Sequence, residues 1–221
     1  MVDAAARRLL KTLPDRPEQN SAEDAIGNII DTTVLDQKGA GEALASVEEK
    51  ESAMQLLAKG AYEQALLAAK ADIEASGSDG KAYFVAARAS LLLSDTAAAI
   101  DYSLSALANG QATSSTYSGL GVAYIQDENW RLADASFRKA AELDPTSSQV
   151  QFNLALVSEV GKDIPRASDH YLKAGNLALR KQELSRVHKA LTALKRLAQN
   201  NQYAQNQYVE LGHQVQSALA N

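Results

Sequence analysis

The chain has 221 residues, of which 46% are apolar, 22% are charged and 5% are aromatic, and it contains no cysteine. This length supplies enough apolar material for a sizeable core, and no apolar run approaches the roughly 18 residues of a membrane-spanning helix, so we expect no direct membrane insertion. The lack of cysteine excludes disulfides and thiolate chemistry, while a net charge of -5 argues against general nucleic-acid binding.

Residues 1–45 are predicted to form a helical extension. Met1 to Leu10 is typical of a short amphipathic helix and lacks the apolar core of a secretory signal. A segment resembling a capping box follows at Ser21, and the next helix has apolar residues on one face at Ile26, Ile29, Ile30 and Val34. The alternative is a disordered tail. Localisation stays open between the cytoplasm and, if a signal has been removed, the bacterial periplasm.

From Ser46 onward the sequence repeats with a period of 34 residues. In registers beginning at Ser46, Gly80, Ser114 and Ser148, the eighth and twentieth positions are always small. The eighth positions hold Ala53, Ala87, Gly121 and Ala155, and the twentieth hold Ala65, Ala99, Ala133 and Ala167. Small residues allow two helix backbones to approach closely, where larger side chains would overpack. Each unit is therefore predicted to be a pair of antiparallel helices of about 12 to 14 residues, and successive pairs must stack to bury their faces.

The third unit resembles the tetratricopeptide repeat (TPR) at its characteristic positions, which hold Leu120, Gly121, Tyr124, Ala133, Phe137, Ala140 and Pro145. The resemblance extends over four units, residues 46–79, 80–113, 114–147 and 148–181, and is weakest in the first, where Ser52 replaces the usual leucine. It implies an all-α, right-handed solenoid. Residues 182–221 are expected to add a capping helix that continues the phase to Ala198, and a tail helix with an apolar stripe at Tyr203, Tyr208, Leu211, Val215 and Leu219.

No catalytic or cofactor motif stands out from this packing pattern. Gly119 and Gly121 imitate part of a dinucleotide fingerprint, but no strand precedes them and no third glycine follows. Ser136 and Lys139 have the spacing of a serine–lysine nucleophile, yet they lie within a helix that packing already explains. The three histidines lack the spacing of metal ligands. We therefore expect no enzyme activity, no cofactor and no metal.

In the TPR family the first helix of each pair lines a concave groove, which the resemblance implies here. The groove positions are mostly apolar, which marks an interaction surface. The carboxylate clamp that one subfamily uses to hold chaperone C-termini is largely absent, since Met54 and Val85 stand at two of its positions. The residues expected to contact an amphipathic helix or an apolar peptide are Phe84, Val85, Arg88, Val122, Ile125, Gln126, Phe152, Asn153 and Leu156.

The expected function is that of a non-catalytic adaptor or co-chaperone whose partner is another protein. Its build resembles accessory factors of bacterial pilus, secretion or envelope machines, a placement by analogy of fold alone. The alternative is a self-associating scaffold, a homo-oligomer assembled through apolar faces. Within the chain, the tail helix or the segment Ile26 to Leu35 competes for the groove. Replacing Phe84 or Phe152 by Asp is expected to abolish partner binding with little loss of helicity.

Overall fold

The computed structural model describes residues 51–220, and within that range it contains ten α-helices and no strand. The described residues divide into two compact units, residues 51–143 and residues 144–220. The helices predicted within residues 1–45 lie outside the described residues. The all-α prediction is confirmed.

The first unit consists of three successive helix pairs. Its helices are α1 (Ala53–Ala58), α2 (Tyr62–Ser76), α3 (Gly80–Leu92), α4 (Thr96–Ala108), α5 (Ser114–Gln126) and α6 (Trp130–Leu143). Each helix packs against the next one in the chain, and the first helices of neighbouring pairs also touch, α1 with α3 and α3 with α5. These contacts are those of stacked helical hairpins.

The second unit consists of two further helix pairs. Its helices are α7 (Ser148–Val160), α8 (Ile164–Arg180), α9 (Leu184–Ala198) and α10 (Gln202–Ala220). The tail helix α10 packs against both α8 and α9, so it continues the series of hairpins as the partner of α9. Its predicted apolar stripe is buried at Leu211 and Val215, whereas Tyr203 and Leu219 are exposed.

Side-chain caps begin most helices at the predicted phase. Helices α3, α5 and α7 start at Gly80, Ser114 and Ser148, the first residues of the predicted units. The preceding residues Asp79, Thr113 and Ser147 each accept a hydrogen bond from a backbone N–H of the first turn. Such N-caps satisfy amides that have no partner inside the helix. The 34-residue period is therefore also a period of start signals.

The small residues of the repeat are buried as predicted. Ala65, Ala99, Ala133 and Ala167 are no more than 1% exposed, and Ala53, Ala87, Gly121 and Ala155 are buried as well. At Gly121 a Cβ atom would lie 2.7 Å from the Phe137 ring of α6. The two helices of this pair therefore approach too closely for any side chain at that position.

Two boundaries differ from the sequence prediction. Helix α1 has only six residues, because Ser52 caps it: its Oγ accepts from the Gln55 backbone N–H, and Gln55 Oε1 accepts from the Ser52 backbone N–H. The serine that departs from the repeat pattern is thus a helix start. Helix α9 begins at Leu184, two residues later than the repeat predicts, since α8 runs for 17 residues before Gln182 takes a left-handed conformation.

Candidate functional site

The nine predicted contact residues divide between the two units, six in α3 and α5 and three in α7. Their exposure differs. Phe84, Arg88, Gln126 and Leu156 are partly exposed, while the buried ones are Val85 (3% exposed), Val122 (2%), Ile125 (1%), Phe152 (6%) and Asn153 (0%). The accessible part of the predicted surface is therefore smaller than the sequence pattern indicates.

Phe152 is a core residue of the second unit. Its ring packs edge-on against Tyr171, with the ring centroids 5.1 Å apart and an interplanar angle of 68°. An Asp at this position would bury a carboxylate among apolar side chains, which is strongly unfavourable. The expectation that Phe152→Asp leaves helicity nearly unchanged is therefore revised: this replacement is a folding mutation, and Phe84 is the better probe of the surface.

A small cleft lies between α3 and α5 in the first unit. Its walls come from Phe84, Ala87, Arg88 and Leu91 on α3, Ser103 on α4, and Ser115, Thr116 and Gly119 on α5. It encloses about 200 Å³, including the part open to solvent. Phe84 and Arg88 are the only predicted contact residues among the cleft residues named here. Ser115, Thr116 and Gly119 are not among the nine predicted contact residues, because small and hydroxyl residues give no apolar signal.

Arg88 supplies the charge of this cleft. Its guanidinium lies 5.6 Å from the centroid of the Phe84 ring, within the range of a cation–π contact. Burial lowers the pKa of Arg88 below its ordinary value, because desolvation disfavours the charged form. The group nevertheless stays protonated, since arginine is effectively always charged in proteins. The cleft thus pairs an aromatic face with a partly desolvated cation.

Gln126, at the end of α5, has a structural contact. Thr96 Oγ1 at the start of α4 donates a hydrogen bond to Gln126 Oε1 over 3.2 Å. Its amide carbonyl therefore helps to join two helices within the first unit. Its carbonyl oxygen is occupied by Thr96. That the Gln126 amide nitrogen donates a hydrogen bond to a polar group of the partner stays a prediction.

In the second unit, Asn153 belongs to a polar network beside α9. Gln149 Nε2 donates to Asn153 Oδ1 over 2.9 Å, and Arg186 Nε donates to Gln149 Oε1 over 3.2 Å. Arg186 also binds Glu183 at 2.5 Å. The Asn153 Nδ2 atom is buried and has no hydrogen-bond partner among the described residues. An unpaired buried donor is unfavourable by about 1–3 kcal/mol, which a carbonyl acceptor would relieve.

A second polar cluster joins three helices of the same unit. Arg196 of α9 donates to both carboxylate oxygens of Glu159 at the end of α7, at 2.5 and 2.8 Å. Tyr171 of α8 donates its hydroxyl to Glu159 Oε2 over 2.9 Å. Burial raises the pKa of Tyr171 well above its ordinary value, with the charge of Glu159 as a further cause. The cluster is a structural link without a signature in the sequence, because its members are far apart in the chain.

The described residues offer no metal site and no membrane span. Across residues 51–220, no group of three or more His, Asp or Glu side chains is arranged to hold a metal ion. None of the helices in this range is long and apolar enough to cross a bilayer.

The amino-acid sequence has no detectable similarity to a known protein family or to a curated protein. No protein-family model matches the chain, and no curated protein matches it.

Comparison at the level of structure found many similar chains. A crystal structure of MamA superposes with a TM-score of 0.58 and 14% identity, covering 77% of this chain and 98% of that one. The 41-end form of MamA from Desulfovibrio magneticus RS-1 gives a TM-score of 0.54 at 19% identity, covering 82% and 99%. YrrB, described as a TPR protein with an unusual peptide-binding site, gives 0.50 at 18% identity, covering 70% and 87%. At these identities the likeness establishes the fold, which is that of paired TPR helices.

Proposed function

We propose that this TPR chain is a non-catalytic adaptor or co-chaperone that binds a segment of another protein. The binding surface lies in the first unit, on the first helices of its pairs, and it centres on the cleft between α3 and α5. The partner segment presents apolar side chains, because Phe84, Ala87 and Leu91 give the α3 wall of the cleft an apolar surface.

The observation that carries this proposal is the partial exposure of Phe84 beside a charged group. Phe84 packs against the core of the first unit with one part of its ring and lines the cleft with another. Arg88 lies over the same ring. Partly exposed aromatic and arginine side chains are the residue types that most often dominate the energy of protein interfaces.

The structural relatives support the same direction by their fold. YrrB is described as having a peptide-binding site, and its helices pair as those of this chain do. Because a fold hosts many functions, the support from YrrB is for the class of ligand and not for its identity.

The experiment is affinity capture from a native lysate with mass spectrometry, using wild type, Phe84→Asp and Leu67→Asp. Leu67 is 71% exposed on α2 and does not line the cleft, so its replacement is a matched control. Circular dichroism verifies that all three proteins are folded. We expect proteins retained by wild type and Leu67→Asp to be lost from Phe84→Asp. Identical captured sets for all three proteins would contradict the proposal.

A finer proposal concerns the biological setting, which we place in a bacterial pilus, secretion or other envelope assembly. Its support is the build of the sequence alone, a short array of TPR units without a catalytic motif. In the capture experiment, the proteins lost from Phe84→Asp should then include components of such a machine. A set made up only of proteins unrelated to the envelope would reject this setting and leave the adaptor proposal standing.

The alternative, a self-associating scaffold, is less favoured by the second unit. The α10 residues Gln202, Asn206, Glu210 and His213 are exposed and polar, and they are interspersed with the exposed Tyr203, Val209 and Leu219, so this helix presents a mixed face rather than a continuous apolar one for stacking. Polar outer faces are typical of terminal repeats that keep an array from extending. Light scattering over a range of protein concentrations tests this directly: a constant monomer mass supports the adaptor, and a rising mass supports the scaffold.

A further inference from the structure

Gly119 lies in the middle of α5, where packing within the described chain does not require a glycine. A Cβ atom built at Gly119 has no described atom within 4 Å. Two residues further on, a Cβ at Gly121 would collide with Phe137. Contact with Phe137 therefore explains the glycine at position 121 and does not explain the one at position 119, although only Leu120 separates them.

Glycine inside a helix is unfavourable relative to alanine, because it has more backbone freedom to lose on folding. An alanine would fit at position 119 without disturbing the described residues. One physical use of a glycine at such a place is the close approach of another backbone. Gly119 lines the cleft between α3 and α5, so that approach would come from an occupant of the cleft.

The other walls of the cleft indicate what such an occupant is. Most of its space of about 200 Å³ is open to solvent, and its enclosed part has room for little more than one water-sized group. An occupant therefore lies across the mouth of the cleft. Phe84 and Leu91 are apolar, while Arg88 is a cation. A carboxylate is the group that an arginine binds most strongly, because the hydrogen bonds are charge-assisted. A carboxylate of the occupant would make such hydrogen bonds in addition to the contacts that Arg88 already makes.

We infer that the cleft binds an extended segment of a partner protein, whose backbone passes over Gly119 and whose Asp or Glu side chain reaches Arg88. An apolar side chain next to that acidic residue lies on Phe84. The segment is extended, because an extended backbone can lie directly on Gly119, whereas a helix could approach as closely only through a small residue of its own. This inference rests on the proposed function and specifies the chemistry of its ligand.

The test uses the full chain and two mixtures of short fluorescent peptides. Both mixtures carry the same randomised β-branched and aromatic residues around a central position, which is Glu in one and Gln in the other. Binding is measured by fluorescence anisotropy at fixed ionic strength. The proteins are wild type, Arg88→Gln, Arg88→Lys, Gly119→Ala and Gly212→Ala. Gly212 is the matched control, since it is also in a helix, in α10, with no described atom within 4 Å of its Cβ position.

We expect the Glu mixture to bind wild type about tenfold more tightly than the Gln mixture, because only the former makes a charge-assisted pair. Arg88→Gln removes this difference, and Arg88→Lys, which keeps the charge without the bidentate geometry, retains part of it. Both alanine variants raise the melting temperature, by about 2–4 °C. Of these two alanine variants, Gly119→Ala weakens the binding of both mixtures, and Gly212→Ala leaves the binding of both unchanged.

Equal affinities of wild type for the two mixtures would overturn the assignment of an acidic ligand. Unchanged binding by Gly119→Ala would overturn the backbone approach at that residue. If neither mixture binds wild type while Phe84→Asp still loses captured proteins, this inference fails and the proposed function stands. If, in addition, all three proteins of the capture experiment retain the same set, both this inference and the proposed function are rejected.

Discussion

The side chain of Leu211 in α10 occupies the space that a Cβ atom would need at Gly175 in α8. A Cβ built at Gly175 overlaps Leu211 Cδ2 and lies 2.9 Å from Leu211 Cδ1 and 3.3 Å from the Cβ of Ala190 in α9. Leu211 is fully buried. The missing side chain at Gly175 therefore lets the last helix dock against α8.

Replacing Gly175 by Ala is expected to lower the free energy of unfolding by about 1–3 kcal/mol, because the core around Leu211 becomes overpacked. Urea denaturation followed by circular dichroism measures the change. The control is Gly212→Ala, next to Leu211 in the chain but with open space at its Cβ position; it should raise stability by up to about 1 kcal/mol. Equal stability of Gly175→Ala and wild type would show that α10 shifts freely.

A second close approach, between Gly121 and the fully buried ring of Phe137, predicts a coupled pair of mutations. Gly121→Ala should destabilise the protein by about 1–3 kcal/mol, since the ring has no room to move. In a Phe137→Leu background the same replacement should be less harmful, with a coupling energy of about 0.5–3 kcal/mol. Strictly additive effects in the double-mutant cycle would contradict direct contact as the cause.

The turn inside each pair of the repeat contains a left-handed residue. It is Gly60 in the first pair, with φ of 80°, and Ser94, Glu128 and Lys162 in the next three, with φ of 61°, 55° and 59°. This conformation is unfavourable for residues with a Cβ by about 1–2 kcal/mol.

Glu128→Gly should therefore stabilise the protein by about 1 kcal/mol, because the turn loses its strain. The matched replacement is Ala135→Gly, at an exposed position within α6, which should destabilise by about 1 kcal/mol. Thermal and urea unfolding of the two variants are the measurements. If the turn is strained, the free energy of unfolding rises in Glu128→Gly and falls in Ala135→Gly. The prediction fails if Glu128→Gly also destabilises.

The hydroxyl of Tyr171 predicts a loss of stability in alkali. Its pKa in the folded chain is raised well above the ordinary value of 10.0 by burial, with further contributions from the nearby Glu159. A raised pKa means that the stabilisation is complete below the unfolded pKa and declines as pH increases beyond it. The free energy of unfolding should therefore fall above about pH 10, where the tyrosine of the unfolded chain ionises.

Tyr171→Phe isolates this contribution. At neutral pH the variant should be less stable by about 1.5–3 kcal/mol, because the hydrogen bond to the Glu159 carboxylate is lost. Its stability should fall less steeply in alkali than that of wild type. Urea midpoints measured for both proteins from neutral pH to above pH 10 provide the comparison. Parallel curves would assign the alkaline loss to other groups.

The repeat could be predicted because its causes are local. Caps at Asp79, Thr113 and Ser147 and the buried alanines at equivalent positions act within one helix or one pair. Their period of 34 residues is therefore visible in the sequence and coincides with the starts of α3, α5 and α7. Short α1 was missed because Ser52 acts as a cap where the family pattern has a leucine.

The candidate surface could be predicted only in part. Its location on the first helices followed from the family resemblance, but the burial of Val85, Val122 and Ile125 did not. The spacing of residues on one helix gives a direction for each side chain and contains no information about how closely α3 and α5 approach each other. Gly119 was not among the predicted contact residues, because only the tertiary structure shows that nothing described fills the space beside it.

The sequence by itself determined that this protein is an all-α array of paired helices, since helix starts, small contact residues and their period are properties of short segments. The tertiary structure alone decided which apolar residues remain accessible, how α10 docks on Gly175, and which groups meet at Glu159. Those outcomes depend on distances between helices that are far apart in the chain. Such distances are set by the packing of whole side chains at near-crystalline density, which residue spacing along the sequence does not encode.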